Sequence, residues 1–272
     1  MSLYFCSFAS GSSGNSYLVG TDRTALIIDA GIAFRNIEQG LAGMGLTTED
    51  ISGILITHEH GDHIKSLRTL IKKTEALTYA SQGTLAAIIE KYVPSLKSDG
   101  TVSVTSGEIF TIGDIEVTPF DVSHDAAEPL GYAFRNGGKS VAIMTDTGIV
   151  TGSALEALRE ADIIVIESNH EENVLMFGSY PFHLKKRILS EHGHLSNGAA
   201  AGCLAEVLGS RSNTNPPKVA LAHLSKENNT PDLAFLTIKN MLAEDGFTEG
   251  VHYSLEVLPG ETGGGCATLI KP

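Results

Sequence analysis

Four side chains able to hold a metal ion, His58, His60, Asp62 and His63, fall within the six residues from His58 to His63. They follow directly on the apolar, β-branched run of residues 53–57. In extended backbone the side-chain period is two, so His58 and His60 are expected on one side. Gly61 then lets the chain turn, bringing Asp62 and His63 in from the start of a following helix. One peptide thereby offers two ligands to each of two adjacent cations. The plainer alternatives are a solvated polar turn and histidines satisfied by hydrogen bonds. A histidine tag is excluded by the interior position and the interleaved acids.

Such a centre needs further ligands, and three other apolar runs end in residues of the right type. Residues 116–123 lead into His124, 141–145 into Asp146 and 218–222 into His223. The carboxyl ends of strands are rigid places from which loop residues can be aimed. Imidazole and carboxylate without thiolate suit Zn2+ or Mn2+, with Fe2+ a weaker candidate. The expected division is His58, His60 and His124 to one ion, Asp62, His63 and His223 to the other, and Asp146 as a bridge. The set of seven is better supported than its division. Two divalent ions about 3.5–4 Å apart share a water, bring its pKa into the neutral range and stabilise both oxygens of a displacement. The expected chemistry is hydrolysis by a hydroxide bridging the metals, with Asp62 as ligand and catalytic group. Asp29, which ends the run 26–29, is expected to orient a ligand histidine or the loop; a simple turn aspartate is the alternative.

The elements that must hold these residues are legible as periodicity. Strands are predicted at 3–9, 16–19, 24–29, 53–57, 115–122, 130–135, 140–145, 162–167, 219–222 and 254–258. Helices are predicted at 34–44, after His63 to residue 73, and at 85–92, 154–161, 197–208 and 232–243. A meander in front and strand–helix alternation behind predict an α/β fold, an αββα four-layer sandwich, as a single domain over residues 1–272. With 272 residues, 42% apolar and 19% charged, the chain has the composition of a folded domain. Its longest apolar runs, such as 163–166, are far short of the roughly 20 residues a bilayer requires. No membrane association is expected, and the absence of a basic region followed by an apolar leader makes cytoplasmic the default. Cys6, Cys203 and Cys266 are too few and too widely spaced for a disulfide framework; Cys6 and Cys203 are expected to be buried small residues.

The motif from Thr57 to His63, with His124, Thr145-Asp146-Thr147 and His223, resembles the metallo-β-lactamase-fold hydrolases. Residues 9–15, 53–65, 167–170, 180–189 and 193–197 are more narrowly similar to the YycJ/WalJ group. That resemblance implies a dinuclear metal phosphodiesterase acting on nucleic acid, specifically a DNA exonuclease working 5′ to 3′, with DNA ahead of RNA as substrate. Only 76 residues separate Asp146 from His223, too few for the β-CASP insertion of RNA-processing relatives. A Gly/Pro-rich arm like that of tRNA 3′-processing relatives is not visible. A β-lactamase proper would be exported and would usually have a cysteine where Asp146 stands. An oxygen-reducing diiron relative would usually have a glutamate in place of His60.

A departing alkoxide needs a proton, and histidine is the usual donor at neutral pH. His194, just before the predicted helix 197–208, is the candidate and resembles the histidine of the His-Ser-Thr motif in tRNA 3′-processing relatives. His192 and His170 are the runners-up, while His183 and His252 are read as structural. Ser196 and Asn197 would cap the helix and present its amino end to phosphate. Lys185, Lys186 and Arg187 form a basic run just ahead of His194, and Lys65, Arg68, Lys72 and Lys73 form another in an acid-free segment, 64–74. The net charge of −13 opposes wholesale coating of a polyanion but permits a narrow basic strip. The Gly- and Ser-rich segment 10–16 could add backbone N–H donors for phosphate, though a turn there needs no function. Phe177, Tyr180 and Phe182 could stack on bases, but core packing is the expected fate of these rings. Two rival readings remain. One is a small-molecule hydrolase of the same fold, acting on a cyclic phosphodiester, lactone or thioester. The other is a metal-binding scaffold without turnover, against which stands a ligand set larger than the four a structural site needs.

Overall fold

In the computed structural model, which describes residues 3–94, 96, 98–211, 215–260 and 268–271, the central strands divide their side chains between two cores. Ala25–Ile28 sends Leu26 and Ile28 between two sheets, and Ala25 and Ile27 under helices. Ile163–Glu167 does the same with Ile163 and Val165 against Ile164 and Ile166. Successive side chains point to opposite faces, so a strand covered on both sides must be apolar throughout. That is why these segments read as unbroken hydrophobic runs.

The first sheet contains, in spatial order, β1 (Tyr4–Ala9), β2 (Ser16–Gly20), β3 (Ala25–Ile28), β4 (Ile51–Leu55), β5 (Thr78–Ala80) and β6 (Thr101–Ser103), with β14 (Thr268–Ile270) on the outer edge of β1. The second contains β7 (Phe110–Ile112), β8 (Ile115–Asp121), β9 (Leu130–Asn136), β10 (Lys139–Met144), β11 (Ile163–Glu167), β12 (Lys218–Ala222) and β13 (Ser254–Val257). Each sheet starts antiparallel and ends parallel: β3 to β6 run together in the first, β10 to β13 in the second. On the outside of the first sheet lie α1 (Phe34–Gly43), α2 (Gly61–Ile64), α3 (Leu67–Lys73) and α4 (Gln82–Lys91). Over the second lie α5 (Gly152–Glu160), α8 (Asn197–Gly209) and α9 (Pro231–Glu244). The short helices α6 (Glu172–Phe177) and α7 (Phe182–Ile188) occupy the connection from β11 to α8. This is the helix–sheet–sheet–helix sandwich expected from the periodicity.

The differences have local causes. Three-residue strands such as β5, β6, β7 and β14 are too short to show a period. The helix expected to run on to residue 73 breaks at Ser66, whose N–H and hydroxyl both donate to the Ala30 carbonyl, at 2.8 and 3.1 Å. Lys65 and Arg68 therefore do not share one continuous helix face. Cys203 is a buried thiol, its pKa pushed up to about 12 by burial. Cys6 is buried but disulfide-bonded, which corrects the expectation of a free thiol there; Cys266 lies outside the described residues. Among the described residues, no helix is long and apolar enough to cross a membrane.

Candidate metal centre

The parallel halves of the two sheets direct their carboxyl ends to the same end of the sandwich. Asp29 follows β3, His58 and His60 follow β4, His124 follows β8, Asp146 follows β10, Glu167 closes β11 and His223 follows β12. Among the described residues, the only non-glycine residues with positive φ are Asp29 at 61°, Asp146 at 56° and His223 at 55°. The left-handed region is unfavourable for a residue bearing a Cβ, and such strain concentrates where a side chain must be aimed. Here all three strained residues line one site, and all are buried.

Donor atoms of His58, His60 and His124 lie within 4.8 Å of one another, as do those of Asp62, His63 and His223 and those of His58, His63 and Asp146. Asp146 joins the two triads: its Oδ2 is 3.3 Å from His63 Nε2 and its Oδ1 3.9 Å from His124 Nε2. Asp62 Oδ2 stands 3.7 Å from both His63 Nε2 and His223 Nε2. The far nitrogens of these rings are held. His63 Nδ1 donates to Asp29 Oδ2 and His223 Nδ1 to Glu167 Oε1, both at 2.8 Å, and His124 Nδ1 donates to the Gly193 carbonyl at 3.1 Å. His58 Nδ1 is 3.0 Å from Thr57 Oγ1. This bonding leaves the Nε2 lone pairs of those rings turned inward. Indeed His58 Nε2, His223 Nε2 and Asp146 Oδ2 are buried without a hydrogen-bond partner. Unpaired buried polar atoms are costly, and a divalent cation with nitrogen and oxygen preference is the group that satisfies this set.

The charges point the same way. Burial opposes ionisation of Asp146, yet His223 and His63 beside it hold its pKa well below the usual carboxylate range. Glu167, also buried, is brought down to about 2 by His194 and His223. Burial would depress His63 and His223, but Asp146 reverses this, with Asp29 helping at His63; His63 is raised well above its usual value and His223 to about 10. His58 and His124 are lowered, chiefly by burial.

Asp29 does more than face His63. Its two oxygens also accept from the Thr57 N–H and hydroxyl, both at 2.9 Å, so it locks the start of the histidine motif to the end of β3. Gly31 permits a close crossing behind the motif, because a Cβ there would overlap the Asp62 carbonyl. That crossing is sewn by Asn15 N–H to Asp62 O at 2.8 Å and Ala30 N–H to His63 O at 2.7 Å.

Asn15, in the segment read as a possible phosphate turn, has its amide turned towards the centre by a fixed chain of donors. The His223 N–H donates to Ser10 Oγ at 2.8 Å, and because the Tyr17 hydroxyl proton goes to Asn15 Oδ1, the Ser10 hydroxyl donates to Tyr17, also at 2.8 Å. Burial keeps Tyr17 protonated by raising its pKa well above 10, and its hydroxyl donates to Asn15 Oδ1 at 3.2 Å. The Gly11 N–H takes the same oxygen at 2.9 Å. Asn15 Nδ2 is left 3.0 Å from His63 Nε2.

His194 Nδ1 donates to Glu167 Oε1 at 2.8 Å, and its ring centroid lies 5.0 Å from that of His124 and 5.3 Å from that of His223. Despite burial, Glu167 raises its pKa. His192 is exposed and its Nδ1 meets Ser123 Oγ at 3.0 Å. His170 is buried with neither ring nitrogen hydrogen-bonded.

The expected phosphate contacts fare differently. Lys185 Nζ donates to the Met176 and Gly178 carbonyls at 2.8 and 2.7 Å, which closes the end of α6. Ser196 Oγ caps α8 by accepting from the Ala199 N–H and donates to Glu172. Asn197 is buried in a network with Ser168, Glu171 and Asn229. The polar groups of these three are engaged within the fold. Arg187 makes a two-point ion pair with Asp125, whose Oδ1 is 3.4 Å from His124 Nε2. Lys186 is exposed and has no partner among the described residues. Residue types alone did not single out Glu167, Asn15 or Asp125. Glu167 carried the available signal, since it ends an apolar strand as Asp146 does.

A model of the beta-lactamase superfamily domain matches residues 24–213. The chain is 41% identical over 256 residues to exodeoxyribonuclease YycJ of Bacillus anthracis, covering 94% of this chain and 95% of that one. It is 40% identical over 248 residues to exodeoxyribonuclease WalJ of Streptococcus pneumoniae, covering 91% of each. The metallo-β-lactamase-fold protein YhfI of Bacillus subtilis superposes with a TM-score of 0.72 at 15% identity over 100% of both chains, a likeness of fold.

Proposed function

The chain belongs to the beta-lactamase superfamily, as a metallo-β-lactamase-fold protein of the YycJ/WalJ kind, and from that premise we propose a dinuclear DNA exonuclease working 5′ to 3′ in the cytoplasm. It is a metal-dependent hydrolase. The finer reading has it working as one domain over residues 1–272 without a β-CASP module, loaded with Zn2+ or Mn2+. The observation that carries the reading is the convergence of seven nitrogen and oxygen ligands with a separate, carboxylate-backed histidine. In support stand the two relatives called exodeoxyribonucleases.

His58, His60 and His124 would hold one cation, Asp62, His63 and His223 the other, with Asp146 between. Bound there, the cations supply Lewis acidity that activates water and neutralises charge on the phosphoryl oxygens. Asp29 and Glu167 hold the imidazoles in the tautomer that presents Nε2 to the centre. Asn15 Nδ2 donates one hydrogen to the Gly11 carbonyl at 3.2 Å; its other hydrogen, aimed at His63 Nε2, would serve a non-bridging phosphoryl oxygen were His63 to hold a cation. His194 gives its Nδ1 proton to the hydrogen bond with Glu167, so Nε2 is the atom that protonates the leaving oxygen. Because Glu167 raises its pKa, the ring keeps that proton above its usual range.

The test is metal-supplemented digestion of single- and double-stranded DNA and RNA carrying a label at either end. DNA should be shortened from its 5′ end, and more rapidly than RNA. Hydrolysis of no polynucleotide, with turnover of a cyclic phosphodiester or a lactone, would replace this reading by the small-molecule one.

A further inference from the structure

Around His124 Nε2 stand His60 Nδ1 at 3.3 Å, Asp125 Oδ1 at 3.4 Å and Asp146 Oδ1 at 3.9 Å. His60 and Asp146 belong to the proposed set of seven ligands, and Asp125 stands outside it. Two donors bound to one tetrahedral ion at about 2.1 Å lie about 3.4 Å apart. Asp125 Oδ1 keeps that separation from His124 Nε2, while the hydrogen-bond contacts of the His124 ring go to the Gly193 carbonyl and to His60. Bonds from three elements fix the position. The Asp125 N–H donates to the His192 carbonyl at 3.1 Å. Two residues on, the Ala127 N–H donates at 2.9 Å to Oε1 of Glu59, which lies between His58 and His60 in the histidine motif. Arg187 holds the carboxylate itself, through Nε at 2.5 Å and Nη2 at 3.0 Å. An ionised carboxylate has about four lone-pair sites, so this fork leaves Oδ1 a second lone pair.

We infer that Asp125 is a further ligand of the cation held by His58, His60 and His124. The inference rests on the dinuclear reading and adds an oxygen to the pocket formed otherwise by imidazoles and the bridging Asp146. Arg187 offsets the charge of the carboxylate, so the pair lends a ligand atom without making that half of the centre anionic. The Asp125 side chain is 36% exposed against 1% for His124, which puts it at the rim. A catalytic ion keeps a position for water or substrate, and a shared carboxylate at the rim is the ligand that an incoming phosphoryl oxygen can replace.

The plainer role for Asp125 is to neutralise Arg187, and two variants separate the roles. Metal-free protein is titrated with Co2+, read by calorimetry and by the visible absorption of the bound ion, and His60→Ala identifies the step that belongs to this pocket. D125A/R187A should weaken that step at least about tenfold, the scale set by partners one bond farther from the ion. Its absorption should shift, and the other step should be unchanged. R187A alone keeps the carboxylate and removes the cation competing for it, so this variant should bind at least as tightly as the wild type. Wild-type affinity and absorption in D125A/R187A would overturn the inference and leave Asp125 as a counter-ion to Arg187. Equal losses in R187A and D125A/R187A would overturn it too, by showing that only the intact ion pair matters. In both cases the wild type would still take two ions, and the dinuclear reading would stand. A wild type that takes a single Co2+ would instead remove that reading, and the inference with it.

Discussion

The two halves of the proposed metal centre are built from similar donor residues but sit in unlike electrostatic surroundings. Around His58, His60 and His124 the supporting partners are neutral: the Thr57 hydroxyl behind His58 and the Gly193 carbonyl behind His124. The nearest carboxylate, Asp125, is already paired with Arg187. Around Asp62, His63 and His223 the ligand Asp62 is itself anionic, and carboxylates stand behind both rings, Asp29 and Glu167 at 2.8 Å. Burial accordingly dominates one half and depresses His58 and His124, while the acids win in the other and raise His63 and His223. A carboxylate behind an imidazole makes it a more basic ligand. The anionic half should therefore take its cation first and hold it more tightly, and the imidazole half should be the exchangeable one.

Asp146 belongs to both halves, and its loss should be the most severe. Asp146→Ala should abolish hydrolysis and release metal from both pockets, as read by turnover and by metal content after desalting. A variant that kept full activity would dissolve the two-half description altogether. Asp29→Asn should act unequally, weakening the tighter site about 10- to 100-fold and the weaker one less, because Asp29 touches His63 directly and His58 only through the Thr57 hydroxyl. Stepwise calorimetric titration separates the two, and equal losses at both would show that the halves do not differ as argued. The smallest effect is on pH dependence. In the ion-free centre His63 and His223 retain protons above pH 6.5, His223 up to about 10, and a cation must displace them. Binding in the anionic half should release protons and strengthen as pH rises from 6.5 towards 10. The imidazole half, whose His58 and His124 are depressed, should be flat over that range. Titrations in two buffers of different ionisation enthalpy count the protons released at each step.

Much of this centre could be read from residue types. His58, His60, Asp62 and His63 declare themselves by spacing, and His124, Asp146 and His223 by ending apolar strands. The four layers followed from periodicity, because strands buried on both faces are apolar throughout. Legibility failed where a side chain's fate depends on a distant neighbour. Lys185 and Arg187 read alike in sequence, yet one closes α6 and the other pairs with Asp125. Phe177 and Phe182 look like core residues, and only the packing around α6 and α7 leaves them in solvent. Glu167 looked like the end of a strand until two histidines, one 27 and one 56 residues away, turned to the same oxygen.

The sequence by itself determined which donor atoms this protein can offer and in what order along the chain. Coordination chemistry depends first on donor type, and strand periodicity brings the carriers to one end of a sandwich. The tertiary structure decided which nitrogen of each ring faces inward, which half of the centre is anionic and which aromatics remain outside. Those outcomes rest on bonds such as Asp29 to His63, 34 residues apart, and Ser10 to His223, 213 residues apart. No local propensity encodes such bonds, because their energy exists only once both partners have been buried side by side.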